Sequence, residues 1–177
     1  AGVGKTAIVE GIAKAVFEGQ VPDALAGVRI YSLDLGALLA GTRYRGDFEA
    51  RLKKVVKALQ EDPKAVLFID EIHRFSKSQQ DALLPDVEAG VVSLIGATTS
   101  NPYFAVNGAL LSRSQLFQLE ALKPDDIRQL LERAIGDHDR GLGERQIKVD
   151  DDAIDYLASA SEGDARRALS ALEVAVL

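Results

Sequence analysis

From Lys5 to Phe17 the apolar residues Ile8, Ile12 and Val16 return every four positions, the repeat of one helix face, and Gly19 stands where such a helix would stop. A connection, VPDALAG, leads to VRIYSLDL, whose apolar and β-branched content predicts a strand. After GALLAG and TRYRG, the spacing of Phe48, Leu52, Val55, Val56 and Leu59 predicts a helix through Gln60, ended by Pro63. AVLFIDE then reads as a strand buried on both faces of a parallel sheet. Ser76 and Gln79 form a capping-box pattern for a helix through Glu88, with Gly90 as its stop. VVSLIGATTS is a further buried strand and SQLFQLE a weaker one. Helices alternating with strands predict an α/β fold with a doubly wound parallel sheet.

Beyond Pro124 the pattern is helical throughout. Ile127, Leu130, Leu131 and Ile135 mark one helix, Ile154 and Leu157 a second, and Leu169, Leu172 and Val176 a third. Asp150 and Asp164 precede the second and third as N-cap candidates. The expected organisation is an α/β domain over 1–122 and a small helical subdomain over 123–177.

Composition narrows the class. With 177 residues, 47% apolar and 27% charged, the chain fits a folded α/β domain with a satellite. A net charge of −6 argues against a surface that is basic throughout, so a nucleic-acid partner would need a local patch. No apolar run approaches the roughly 20 residues that cross a bilayer, which implies no membrane partner and a cytoplasmic location. The chain has no Cys, hence no disulfide framework or thiolate metal site. It also has no Met and starts inside a motif, and so reads as part of a longer protein.

That motif is AGVGKTAIVEGIAK. Gly4, Lys5 and Thr6 supply the end of G-x-x-x-x-G-K-[ST], whose first glycine would precede Ala1, as would the first strand of the sheet. Glycines opening a helix can expose backbone amides to phosphates, with a Lys for their charge and a hydroxyl for Mg²⁺. The expected ATP contacts are Ala1, Gly2, Val3, Gly4, Lys5, Thr6 and Ala7; the competing reading is a plain turn. Asp70 and Glu71 follow VLFI at a strand's carboxyl end, where open α/β sheets bind ligands. Asp70, with Thr6, would hold Mg²⁺, and Glu71 would polarise the attacking water. Two acids there could instead cap the next helix. Thr98 and Thr99 end the following strand, and either hydroxyl could meet the γ-phosphate or the water. Arg113 and Arg166 are candidates for the positive charge phosphoryl transfer needs, although a lone arginine is commonly a solvated surface residue. His73 reads as structural and His138 as solvated.

Together GVGKT, VLFIDE, GATTS, ALLSR and GDARRAL resemble the AAA+ ATPases across nearly the whole chain. The resemblance implies a sheet followed by a helical lid, with ATP between them and a ring of identical subunits. It implies that Thr99 is sensor 1, that Arg113 is a finger reaching a neighbouring subunit's ATP, and that Arg166 is sensor 2. Residues 1 to about 73 resemble the first ATPase domain of Clp-type unfoldases and disaggregases, which implies a polypeptide substrate and a pore loop at Tyr44 and Arg45. Residues from about 66 onward resemble the replication-associated recombination ATPases of the RarA type, which implies action on DNA. Gln115 stands where that likeness implies a basic residue, and Asp86 where it implies His. The two likenesses meet in VLFIDEIH, and the RarA-type reading is favoured because that portion holds the sensors, finger and lid; the alternatives are a Clp-type unfoldase or disaggregase module and an inactive truncated or chimeric fragment.

Overall fold

The apolar run at Ala65–Ile69 is the central strand of a three-stranded sheet in the computed structural model of the chain, which describes residues 2–41, 45–145 and 147–177, the side chains of Leu39 and Arg45 excepted. Ala1, Tyr44 and the Arg45 side chain, each assigned a part above, therefore lie outside the described residues. The chain divides into two compact units, Thr6–Phe117 and Ala1–Lys5 with Gln118–Leu177.

The first unit holds the sheet. Strand β1 (Arg29–Ser32) and strand β3 (Ser93–Gly96) both pair in parallel with β2 (Ala65–Ile69). Parallel strands need crossover connections, and helices supply them. Helix α1 (Lys5–Phe17) precedes β1; α2 (Leu35–Leu39) and α3 (Arg45–Gln60) connect β1 to β2; α4 (Lys77–Asp81) and α5 (Leu84–Glu88) connect β2 to β3. The short helices α6 (Pro102–Ala105) and α7 (Gly108–Leu111) follow β3. Side chains alternate across a strand, so β2 serves two cores. Leu67 and Ile69 join Phe48, Leu52, Val56 and Leu59 of α3, while Phe68 meets Val9 of α1 and Ala97 on the other face. Asp62 fixes the approach to β2. It accepts from Arg29 Nε at 2.7 Å and from the Tyr31 hydroxyl at 3.1 Å, and the Arg29 hydrogen bond holds its carboxyl below the usual range.

Three expectations shift. Helix α1 buries Val9, whereas Ile8 and Ile12 are exposed; its apolar residues run around more than one face, so a four-residue repeat does not single out the packed one. The α1 stop is as expected, with Gly19 at φ 70° and Gln20 N–H donating to Ala15 O at 2.8 Å, a glycine-closed helix end. The helix expected to run through Glu88 is broken into α4 and α5. Its start is the predicted capping box of Ser76 and Gln79, but Pro85 has no N–H for the Asp81 carbonyl and its ring clashes there. Finally, residues 114–120 form no strand. Among the described residues the ladder ends at β3, and a segment without a hydrogen-bonded neighbour cannot register as a strand, whatever its composition.

The second unit contains α8 (Pro124–Gly136), α9 (Asp151–Ala160) and α10 (Ala165–Ala175). They bury Ile127, Leu131, Ile154, Ala158, Ala168 and Leu172 in one cluster, the face that helical spacing predicts. Asp164 caps α10 by accepting from Arg167 N–H at 3.0 Å. Asp150 occupies the N-cap position of α9 without a side-chain cap bond. Arg128 of α8, paired with Glu132 on its own helix, ties α8 to α9 through Asp151 and Asp155.

Candidate functional site

β2 delivers its chemistry at its carboxyl end. Ile69, with 0% of its surface exposed, anchors the strand, and Asp70 is the next residue. The Thr6 hydroxyl, in the first turn of α1, donates to Asp70 Oδ2 at 2.8 Å, and Glu71 N–H donates to Asp70 Oδ1 at 3.0 Å. Two residues 64 positions apart thus place a hydroxyl and a carboxylate side by side. Both are hard oxygen donors, the set that suits Mg²⁺ held by one or two protein groups, waters and phosphate oxygens. Among the described residues no cluster of three or more His, Asp or Glu side chains could cage a metal by itself, so a cation here would draw most of its ligands from elsewhere.

Glu71 is held between two fixed neighbours. Ile72 is buried, and its N–H donates to Ala97 O at 2.9 Å, while Ala97 N–H donates to Ile69 O at 2.9 Å. The Ile72 side chain packs where a Cβ on Gly96 would come within 3.2 Å of it, which accounts for a glycine at the end of β3. With Ile69 and Ile72 both pinned, Glu71 absorbs the turn at φ 53°, ψ 45°. That left-handed conformation is uncommon for a residue other than glycine and costs on the order of 1–2 kcal/mol. Such outliers cluster at functional sites.

Two further residues join this end of the sheet. His73 Nδ1 lies 3.0 Å from Thr98 Oγ1, and His73 Nε2 lies 3.6 Å from Glu71 Oε2. Ser100 N–H donates to the same Thr98 hydroxyl at 3.0 Å. Thr98 is therefore engaged at the site, whereas Thr99 is exposed and makes no hydrogen bond with the described residues. His73, read from sequence as structural, bridges both strand ends. The signal that could have found it is its place three residues after Asp70, in the 3₁₀ turn Ile72–Arg74 that turns its ring back toward β3.

The glycine loop belongs to the second unit up to Lys5. Gly2 and Gly4 have φ of 67° and 89°, positive values that let successive N–H groups face one concavity. Gly2 O accepts from Ala165 N–H at 3.0 Å, and a Cβ on Gly2 would fall 1.8 Å from Asp164 Oδ1, so no side chain fits there. Val3 is half-buried and Ala7 exposed. Lys5 has no ion-pair partner among the described residues, nor has Arg166, which is exposed in the first turn of α10. Arg113, just past α7, is engaged elsewhere. Its Nη2 pairs with Glu88 Oε1 at 2.8 Å and its Nη1 donates to Ala109 O at 3.0 Å. Thr6, Asp70 and Glu71 are thus together, and Arg113 is not among their partners.

Comparison with known proteins identifies the family. Residues 1–124 match the family described as AAA, the ATPase family associated with various cellular activities. The chain is 52% identical over 114 residues to replication-associated recombination protein A of Bacillus subtilis, covering 64% of this chain and 27% of that protein. It is 47% identical over 143 residues to a ClpA homolog protein of Fuscovulum blasticum, covering 73% of this chain and 18% of that one. Among solved structures, the S. cerevisiae Hsp104-ADP complex superposes over 99% of this chain and 26% of its own with a TM-score of 0.79 at 31% identity. The chain therefore spans about a quarter of the length of the first of these relatives. Both resemblances expected from the motifs, RarA-type and Clp-type, are present, and the fold is that of the AAA+ P-loop proteins.

Proposed function

The chain belongs to the AAA family of ATPases, and from that premise we propose that it binds ATP with Mg²⁺ and hydrolyses it as a module of a RarA-type replication and recombination ATPase. The observation that carries the reading is the 2.8 Å hydrogen bond from Thr6 to Asp70. It brings the last residue of the G-K-T motif to the carboxylate after a buried strand, the pairing that nucleoside triphosphate chemistry uses around its cation. Thr6 and Asp70 would hold Mg²⁺, and a cation there would supply charge to offset that developing on the phosphate.

In this reading the backbone from Ala1 to Ala7 surrounds the phosphates and the Lys5 ammonium offsets their charge. Thr6 and Asp70 hold the cation. The Glu71 carboxylate orients the attacking water, while Thr99, or Thr98 beside it, contacts the γ-phosphate or that water. Arg113 acts from one subunit on the ATP of its neighbour in a ring, and Arg166 supplies lid charge. The working location is the cytoplasm; no helix among the described residues is long and apolar enough to cross a membrane. DNA is the favoured macromolecular partner, because the identity to replication-associated recombination protein A reaches 52%.

One observation favours a second reading, the Clp-type unfoldase: the superposition on Hsp104 takes in nearly the whole chain. In that case a polypeptide is the substrate and Tyr44 with Arg45 forms the pore loop. A fluorescent ATP analogue decides the shared premise. Mg²⁺-dependent mant-ATP binding is expected, and its absence up to millimolar concentration would overturn the ATPase reading. Stimulation of hydrolysis by forked DNA, lost at high salt, is the outcome expected for the recombination reading. Indifference to DNA, with casein stimulation abolished by Tyr44→Ala, would replace it with the unfoldase.

A further inference from the structure

We propose that His73 is a positioning residue for Glu71, a role that rests on the ATPase reading above. Glu71 has three side-chain torsions and 42% of its side chain exposed, so its backbone alone does not aim its carboxylate. The His73 ring, 22% exposed, stands against it and is itself held from the opposite side.

The proton arrangement follows from the neighbours. Thr98 Oγ1 already accepts from Ser100 N–H at 3.0 Å, and its own proton has two acceptors in reach: Ser100 O at 3.4 Å and His73 Nδ1 at 3.0 Å. We assign it to Nδ1, the nearer acceptor, as part of the proposal. A neutral ring that accepts at Nδ1 carries its proton on Nε2, and Nε2 is the atom that faces Glu71 Oε2 at 3.6 Å. The opposite tautomer would set a nitrogen lone pair against a carboxylate. At 3.6 Å the contact is longer than a hydrogen bond, so the pairing we propose requires the Glu71 carboxylate to move closer to Nε2. The chain Ser100 N–H, Thr98 hydroxyl, His73 ring, Glu71 carboxylate thereby links the end of β3 to the residue that polarises water.

The test uses the fact that an asparagine amide can stand in for Nδ1 and a glutamine amide for Nε2. His73→Ala should lower kcat about ten- to a hundredfold, as expected for a misplaced reacting group, while KM for ATP and mant-ATP affinity stay within about threefold. His73→Gln should recover most of the rate and His73→Asn should not. The reverse pattern, with Asn restoring activity and Gln failing, would mean that the ring serves β3 through Thr98 and would overturn the proposal, as would a raised KM with unchanged kcat. A second readout needs no turnover. Two-bond ¹H–¹⁵N spectra of the nucleotide-free chain should show the Nε2–H tautomer, with Glu71→Ala shifting Nε2 and Thr98→Val shifting Nδ1. An Nδ1–H tautomer, or indifference of Nε2 to Glu71→Ala, would exclude the contact. If the chain turns over no ATP, the ATPase reading fails, and the spectra still decide whether His73 holds Glu71.

Discussion

Asp70 and Arg113 are assigned to one reaction, yet the chain holds them by opposite means. Asp70 follows a strand paired on both sides, is preceded by a fully buried Ile69, and already accepts the Thr6 hydroxyl and the Glu71 amide. Arg113 sits just past a four-residue helix, on a side chain 46% exposed, and its strongest contact is an ion pair with an equally exposed Glu88. The acidic side of the site is prepared within the chain, whereas the arginine side waits on a surface. Under the proposed mechanism the contrast becomes a division of labour: the groups proposed to bind cation and water are built into the sheet, and the arginine proposed to answer a neighbour's nucleotide is left half exposed.

The largest effect should come from breaking that division at the arginine. Arg113→Ala is expected to lower hydrolysis about 10³-fold, the low end of what an arginine finger contributes, and to leave mant-ATP binding unchanged. Mixing tests the boundary directly. Subunits carrying Arg113→Ala keep their own Glu71, so adding Glu71→Gln subunits, which keep Arg113, should restore part of the activity that each variant lacks alone. Equal loss of binding and hydrolysis, or mixtures no more active than their parts, would remove Arg113 from the reaction across subunits.

The same contrast explains what could be read in advance. The place of Asp70 and Glu71 at a strand's carboxyl end was legible because the apolar run before them must be a buried strand for its composition to make sense. The helical core was legible for a like reason: Ile127, Leu131, Ile154 and Leu172 repeat at helical spacing and all are buried. Two of the misses share a physical cause, namely that the deciding interaction lies far off in sequence. Nothing local to SQLFQLE says whether a neighbouring strand will pair with it. Nothing local to α1 says that Val9 rather than Ile8 will meet Phe68. The break at Pro85 was readable and was outweighed by the capping signal at Ser76. His73 was read as structural, and it is hydrogen-bonded; that its partner is Thr98 was not readable, because the two meet only when β2 and β3 pair.

A smaller effect sharpens the prepared side. Ile69→Ala removes a fully buried side chain directly before Asp70, and should destabilise the chain by about 2–5 kcal/mol, the usual cost of such a cavity, seen as a lower denaturant midpoint with little change in slope. If the sheet is what holds Asp70 in place, hydrolysis by the fraction still folded should fall as well. An activity per folded molecule equal to the unaltered chain would show that Asp70 is held by Thr6 rather than by the strand.

The smallest effect probes the waiting side. Glu88 holds Arg113 at 2.8 Å, but both side chains are half open to water, and such pairs are worth about 0.2–1 kcal/mol. If Arg113 must leave Glu88 to reach a neighbour's nucleotide, that energy is a toll on every productive arrangement. Glu88→Gln removes the charge and keeps the shape, so hydrolysis should rise by about 1.4- to 5-fold, the same energy expressed as a population ratio. Folding stability should change by less than about 1 kcal/mol. Raising the salt should narrow the difference between the two proteins, because salt weakens the pair only in the chain that has it. A rate that is unchanged at low salt would mean that Arg113 works without leaving Glu88, and that the arginine side is as fixed as the acidic one.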